Sequence, residues 1–381
     1  MSEPKTGPLA GVRILELGGK GPVPMCGMML GDLGADMIRI DRPGDVLNPV
    51  LHRNRRSIGI DLKSPTGVQS VLELTSTCDA VLEGFRPGVI ERLGLGPDHL
   101  LAAQPGLVVG RMTGWGQDGP WSQSPGHDIN YISSSGVLHA IGTGEDPVVP
   151  LNLVADMGGG GMLLAVGVLA GILEARSSGA GQVVDAAMVD GSAALMAMMY
   201  GFLSAGQWTD DRAANRLDGA APYYSVYRCA DGHMAVGCVE PKFWSDFLGL
   251  MGVKDDAMFQ DQEDRASWPA MKARLGTIFS AHPRRHWAEV FAKGRACVTP
   301  VLSMSEAVIA PGNLARATFA GMPGGGHWPA PAPRFSHTPC RIPSPAPKPG
   351  EHTADVLAEL TGRRGDTGQL RSAAPTRKSD A

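Results

Sequence analysis

The alternation of strand-like and helical segments in the first 113 residues constrains the fold of this chain most strongly. Helical patterns at residues 25–33 and 67–75 separate runs rich in Val, Ile and Leu. These runs span residues 12–17, 37–41, 57–62, 80–83 and 107–112. Alternating strands and helices are typical of a largely parallel sheet. We therefore predict an α/β fold for this part of the chain.

The turn Gly18-Gly19-Lys20-Gly21-Pro22 joins the first predicted strand to the first predicted helix. A strand, a glycine turn, a helix and a second strand also begin a dinucleotide-binding fold. The G-x-G-x-x-G spacing of that fold is absent here, so the sequence does not predict a classical nicotinamide site.

Length, charge and cysteine usage exclude several classes of protein. The 381 residues allow two domains, and the net charge of −4 argues against a nucleic-acid or membrane-surface partner. Six cysteines are scattered without metal-ligand spacing, so we expect reduced thiols and no metal. The first residues carry no apolar leader, and the apolar run 162–173 is too short for a membrane span. We expect a cytoplasmic protein.

The pattern of predicted secondary structure changes near residue 220. A hairpin is predicted at residues 223–239, and helical patterns follow at 242–251, 268–280 and 284–293. We predict a small α+β domain over residues 220–320 and a large domain over 1–200, completed by about 325–360. An apolar, Met-rich helix is predicted from 185 to 203, either in the core or at a subunit interface. Residues 361–381 are predicted to be a disordered tail.

A base and an acid stand out between residues 126 and 161. His127 lies in Gly-His-Asp-Ile-Asn-Tyr, and Asp156 precedes Met157, four glycines and the apolar run. This order predicts that Asp156 lies at a helix N-terminus, where unpaired N–H groups favour negative charge. A structural hydrogen bond for His127 and an N-cap role for Asp156 remain alternatives. Asn152 is close enough in sequence to bond to Asp156.

Basic residues cluster in the first hundred positions. Either they are a solvated surface, or they form an anion site that suits a polyphosphate ligand. The cluster comprises Arg39, Arg42, His52, Arg53, Arg55, Arg56, Lys63, Arg86 and Arg92.

Several sequence blocks together resemble one family. They include LAGVRILELGG, MLGDLGADMIRIDRPG, RNRRSIGIDLKS, EGFRPGVIERLGLGP, GHDINY and PLNLVADMGGGG. In this order they resemble the alpha-methylacyl-CoA racemases of the family III CoA-transferase superfamily, over roughly residues 8–335. The resemblance implies an interlocked homodimer with a Rossmann-like, CoA-binding large domain and a smaller α+β domain. It implies an acyl-CoA substrate, of which coenzyme A is a part, and no further cofactor.

The resemblance also implies roles for the acid and the base. His127 and Asp156 would exchange protons with opposite faces of the substrate α-carbon through an enolate. Asn152 would support Asp156. Glu240 would support His127 of the other subunit, because the family's active site lies between two chains. The N–H groups at the start of a helix over residues 157–161 are our expected stabilisers of the enolate oxygen. The implied CoA contacts are Arg39, Ile60, Asp61, Leu62, Lys63, Gly84, Phe85, Arg86, Arg92, Gly126, Asp128, Ile129, Asn130 and Tyr131.

Two other activities use the same residues. A family III CoA-transferase would use Asp156 as a nucleophile that forms an anhydride with the acyl group. A non-catalytic CoA-binding protein would keep the arginines but would not need His127, Asn152 and Glu240. The acyl group is left open, and Lys20 departs from the apolar residue that the resemblance leads us to expect in the glycine turn.

Overall fold

The computed structural model describes residues 6–361, which form two compact units. The first unit contains the described residues up to Ile132, then Asn152–Leu195 and the residues from Phe319 onwards. The second contains Ser133–Leu151 and Met196–Thr318. The predicted disordered tail falls outside the described residues, apart from Thr361.

The secondary structure begins as the strand and helix alternation predicts. In chain order, the elements up to residue 140 are β1 (Arg13–Glu16), α1 (Pro22–Asp32), β2 (Asp36–Asp41), β3 (Arg55–Gly59), α2 (Pro65–Thr75), β4 (Ala80–Glu83), α3 (Val89–Arg92), α4 (Pro97–Ala103), β5 (Val108–Thr113), α5 (Asp128–Ser134) and α6 (Val137–Ala140). Next come a π-helix (Leu153–Met162), α7 (Leu163–Ser178), β6 (Gln182–Ala187), α8 (Met188–Leu195) and α9 (Ala197–Ser204).

The remaining elements are shorter on average. They are β7 (Tyr224–Arg228), β8 (His233–Gly237), α10 (Pro241–Leu250), a 3₁₀ turn (Ala257–Phe259), α11 (Trp268–Ser280), α12 (Arg284–Phe291), β9 (Val298–Pro300), α13 (Met304–Ala307), α14 (Pro311–Arg316), β10 (Phe319–Gly321) and β11 (His327–Pro329). A last helix, α15, covers residues 353–361.

The first unit is built on a six-stranded sheet in the order β3-β2-β1-β4-β5-β6, in which every neighbouring pair is parallel. This confirms the predicted α/β class with a parallel sheet. The strand order reverses between β1 and β4, and ligands of such sheets bind in the crevice beyond the carboxyl ends of the strands at this point. The loops that follow β1 and β4 are therefore the first places to look for a site.

The predicted helix over residues 185–203 was wrong in two respects. Residues Gln182–Ala187 form β6, the edge strand of the sheet, and the helical part is split into α8 and α9 at Met196. The segment 182–187 is short and has no clear period, so a strand and the start of a helix look alike in the sequence.

The glycine run that ends at Gly161 allows a close approach between two helical backbones. A Cβ atom on Gly191 of α8 would lie 1.9 Å from the carbonyl oxygen of Gly159 in the π-helix. Only glycine at both positions leaves room for this contact. The π-helix therefore packs directly on α8, and it also packs on α1.

The π-helix and α7 form one continuous apolar helix, Leu153–Ser178, of 26 residues. The expectation that this segment is too short to span a membrane was wrong about its length. Length and composition are weak evidence for a span, because core helices of soluble proteins have the same features. Here α7 packs on β5 and β6 of the sheet.

The second unit has its own sheet and its own core. Strands β7, β8 and β9 form an antiparallel sheet, and β7 and β8 are the predicted hairpin. Aromatic rings from α10, α11 and α12 fill the core, with Phe247 and Phe291 stacked 5.7 Å apart.

The contact between Gly159 and Gly191 generates a stability prediction. Gly191→Ala forces a methyl group into the Gly159 carbonyl, and overpacking of this kind costs about 1–3 kcal/mol or more. We expect a lower urea midpoint, measured by tryptophan fluorescence. Gly276→Ala is the control, because no described atom lies within 4 Å of its Cβ position on α11. It should leave stability unchanged or raise it. Equal midpoints for the two variants would contradict the predicted role of the contact.

Candidate active site

The carboxylate of Asp128 joins the two segments that carry His127 and Asp156. Its Oδ2 atom accepts hydrogen bonds from the backbone N–H groups of Ala155 and Asp156, each at 2.8 Å. His127 is exposed and directly precedes Asp128, the first residue of α5. The structure thus brings the predicted base and acid into one site, across the sequence separation of 27 between Asp128 and Ala155.

Asp156 lies in the first turn of the π-helix and is partly buried. Burial raises the pKa of its carboxyl group, and the negative charge of Asp128 raises it further. The hydrogen bond from Asn152 Nδ2 to Asp156 Oδ2, 3.0 Å long, and the charge of His127 both lower it. The net effect is a raised pKa, so the group holds its proton more readily than an ordinary aspartate.

Gly21 is a site residue that the sequence analysis did not nominate. It precedes α1 with φ 62° and ψ −109°, a backbone conformation that favours glycine. A Cβ atom at this position would lie 3.3 Å from Asp156 Oδ2. The loop after β1 therefore contacts the carboxyl group with backbone alone, and the exposed Lys20 is its neighbour. The positive φ leaves no signal in the sequence beyond a glycine before a proline.

The predicted oxyanion site at residues 157–161 was wrong. The helix begins at Leu153, so the N–H groups of Gly158–Gly161 lie inside it and bond to carbonyl groups five residues earlier. The N–H groups of Ala155 and Asp156 are used by Asp128. Helix α5 begins directly after His127, and the His127 carbonyl accepts hydrogen bonds from the N–H groups of Asn130 and Tyr131 at 2.8 and 3.3 Å.

Arg39 is buried beneath the loop that carries Gly21. Its guanidinium group pairs with Glu16 and Asp41 and donates a hydrogen bond to the Gly19 carbonyl at 3.3 Å. Arg55 completes the network, because its Nε atom lies 3.2 Å from the other oxygen of Glu16. These contacts fix the backbone of the loop at Gly19. The expected contact of Arg39 with coenzyme A stays a prediction.

Other members of the basic cluster are also paired inside the first unit. Arg53 is buried and binds Asp32 and the Pro329 carbonyl. Arg56 pairs with Asp36 at 2.7 Å and with Glu359 at 2.6 Å. Arg53 and Arg55 therefore belong neither to a solvated surface nor to an anion site. Each forms a buried ion pair within the fold.

The other predicted CoA contacts follow β3 and β4 or lie in α5. Lys63, Arg86 and Arg92 are exposed. Asp61, Gly84, Ile129 and Asn130 are also exposed, Ile60, Leu62, Phe85 and Gly126 are partly buried, and Tyr131 is buried. The carboxyl ends of β3 and β4 lie on the same edge of the parallel sheet as the loop after β1. Lys63 and Arg86 therefore present positive charge at this edge.

Glu240 belongs to the second unit. It is exposed and is the residue that precedes α10, following the hairpin. A cavity of about 430 Å³ in the same unit is lined by the neighbouring Val239, together with Phe202, Trp208, Arg216 and Glu263. The pairing of Glu240 with His127 stays a prediction.

Comparison with known proteins identifies the family of this chain. The model of "CoA-transferase family III" matches residues 9–353. The chain is 42% identical to alpha-methylacyl-CoA racemase of Mus musculus and 41% identical to that of Homo sapiens, in each case over 96% of both chains. It is 30% identical to Rv3272 of Mycobacterium tuberculosis, a probable fatty acyl-CoA transferase, over 92% of this chain and 98% of that one. A crystal structure of Rv3272 superposes with a TM-score of 0.79 and covers 93% of this chain and 99% of its own.

The hydrogen bond from Asn152 generates a prediction about Asp156. Asn152→Ala removes the amide that stabilises the Asp156 anion, so we expect the pKa of Asp156 to rise above its already raised value. Carbon-13 NMR titration of labelled aspartates measures this pKa, and Asp156→Asn assigns the signal. An unchanged or lower pKa in Asn152→Ala would mean that the amide does not stabilise the anion.

Proposed function

Because this chain belongs to CoA-transferase family III, we propose that it is an alpha-methylacyl-CoA racemase. It inverts the α-carbon of 2-methylacyl-CoA thioesters. The observation that carries the proposal is the raised pKa of Asp156 in a site that also contains His127. Racemisation needs a base on one face of a carbon and a proton donor on the other. An aspartate can act as the donor only if it holds a proton at working pH.

The reaction proceeds by two proton transfers. A ring nitrogen of His127 takes the α-proton, and the electron pair of the broken C–H bond moves into the thioester to form an enolate. Protonated Asp156 then gives its proton to the opposite face, which restores the carbonyl group and leaves Asp156 ionised. In the reverse direction the two residues exchange roles.

The enolate oxygen needs hydrogen-bond donors that are already in place. We assign this task to the backbone N–H groups of Asp128 and Ile129, the first two residues of α5, because those of Asn130 and Tyr131 bond to the His127 carbonyl. These N–H groups lie next to the base, His127. The N–H groups of Ala155 and Asp156 are not available, because they donate to Asp128. Coenzyme A would lie along the edge that carries Lys63 and Arg86, whose charges suit its phosphates.

The active form in this proposal is a homodimer. Large apolar side chains are exposed on α7, where Val166 is 62% and Leu173 is 73% accessible. Helix α9 of the second unit buries none of its residues. A second copy of the chain would cover these surfaces, and Glu240 would then support His127 of the partner subunit.

Transfer of coenzyme A is the alternative, since Rv3272 carries that name. Its chemistry needs Asp156 as an ionised nucleophile. Burial of the Asp156 carboxyl group disfavours the anion, and a transferase has no use for a proton on this residue. The geometry therefore favours proton transfer.

The label-exchange experiment tests the catalytic proposal. A 2-methylacyl-CoA of one configuration, in deuterated water without any acceptor acid, should gain one α-deuterium and become racemic. His127→Ala should lower the rate by about 10²–10⁴-fold, as expected when a general base is removed, with CoA affinity nearly unchanged. His99→Ala, an exposed histidine in α4, is the matched control. Absence of label with every acyl chain, or exchange that requires an acceptor acid, would reject racemisation.

The dimer proposal has its own test. Val166→Glu places a charge on the exposed face of α7, and burying that charge in an interface weakens association by roughly a hundredfold. Sedimentation velocity without detergent should give a dimer for the wild type and a monomer for the variant at micromolar concentration. Gln69→Glu, an exposed residue of α2, should remain a dimer. A monomeric wild type would contradict the proposal.

A further inference from the structure

A helix N-terminus is a poor place for a carboxyl group that must hold a proton. Its unpaired N–H groups carry partial positive charge and stabilise an anion. Asp156 lies in the first turn of the π-helix, where this effect is strongest. Something in the structure must oppose it if Asp156 is to donate a proton.

Asp128 occupies the position that a helix-end anion would take. Its Oδ2 accepts the N–H groups of both Ala155 and Asp156, so these donors point at Asp128 and not at the Asp156 carboxyl group. The side chain is buried, at 5% exposure, and these bonds leave it no freedom to move away. The helix end is therefore already neutralised by a different carboxylate.

The second oxygen of Asp128 takes part in no hydrogen bond with the residues that the structure describes. Within the described chain, Oδ1 is buried and has no hydrogen-bond partner. A neutral oxygen acceptor would bond to the two N–H groups without burying this extra charged atom. A carboxylate at this position thus serves a purpose beyond capping the helix.

We propose that Asp128 is a positioning residue for the acid of the reaction: it occupies the donors of the helix end and places a fixed negative charge beside Asp156. This inference rests on the proposed function, in which Asp156 must hold a proton. Asp128 itself neither takes nor gives a proton in the reaction.

The neighbouring charges agree in sign with this role. Burial is the largest cause of the raised pKa of Asp156, and the charge of Asp128 acts in the same direction. His127 and the Asn152 amide act in the opposite direction. Burial raises the pKa of the nearby Tyr131 phenol, and the negative charge of Asp156 raises it further. Among these groups, Asp128 is the one whose charge favours the protonated form of Asp156.

Asp128→Asn separates the charge from the hydrogen bonds. The amide oxygen still accepts from Ala155 and Asp156, while the negative charge is lost. We expect the pKa of Asp156, measured by carbon-13 NMR, to fall, because the negative charge that raises it is removed. The acidic limb of the kcat/KM profile, which reports the protonation of Asp156, should move to lower pH by the same amount. The plateau of kcat/KM should fall by the same factor in both directions, tenfold for each unit by which the pKa falls, because the substitution leaves the equilibrium between the two configurations unchanged.

Asp185→Asn is the matched control. The Asp185 carboxylate also accepts a backbone N–H, from Gln117 at 3.2 Å, but it is exposed and lies outside the site. Its pH profile should match that of the wild type. If Asp128→Asn does not fold, Asp128→Ser provides an oxygen acceptor without charge and should give the same shifts.

The outcomes separate this inference from the proposed function. A folded, charge-free variant with an unmoved pKa of Asp156 and an unmoved acidic limb would overturn the role of Asp128, even if label exchange occurs. Absence of label exchange in the wild type would instead reject racemisation, and the NMR titration would still show whether Asp128 controls the proton of Asp156.

Discussion

The position of the loop after β1 depends on one buried carboxylate, Glu16, which is paired with Arg39 and Arg55. All three side chains are buried: Glu16 is the last residue of β1, Arg39 lies within β2 and Arg55 is the first residue of β3. Removing one partner of such a network leaves a buried charge uncompensated, at a cost of about 3–5 kcal/mol. Because Arg39 also binds the Gly19 carbonyl, the network fixes the backbone that brings Gly21 against Asp156.

The same network explains why charge clustering in the sequence was a poor guide to the anion site. Arg53 and Arg55 are separated by only one residue, but their carboxylate partners, Asp32 and Glu16, lie 21 and 39 residues earlier. A cluster of one sign along the chain does not show which members are neutralised by tertiary contacts. The structure leaves Lys63, Arg86 and Arg92 exposed for a ligand, and sequence alone could not separate these from the structural arginines.

The sequence predicted the parts of the fold that have a strong local pattern. The strands from β1 to β5 and the hairpin of β7 and β8 carry apolar runs bounded by turns, and they are present. Strand β6 was missed because its period is ambiguous and only its parallel pairing with β5 makes it a strand. In the site, His127, Asn152 and Asp156 were nominated from residue type and spacing, whereas Gly21 depends on a backbone angle and a long-range contact.

The sequence cannot decide which of the two aspartates, Asp128 or Asp156, binds the helix-end N–H groups and which one acts as the acid. Asp128 and Asp156 both lie in the first turn of a helix, and an aspartate suits either position. The folded chain gives both N–H donors to Asp128 and partly buries Asp156 beside it. The two carboxyl groups therefore lie in unlike environments, and this difference allows the same side chain to serve two roles in one site. The helix end therefore does not oppose the proton on Asp156, because its N–H groups at Ala155 and Asp156 already donate to the Asp128 carboxylate.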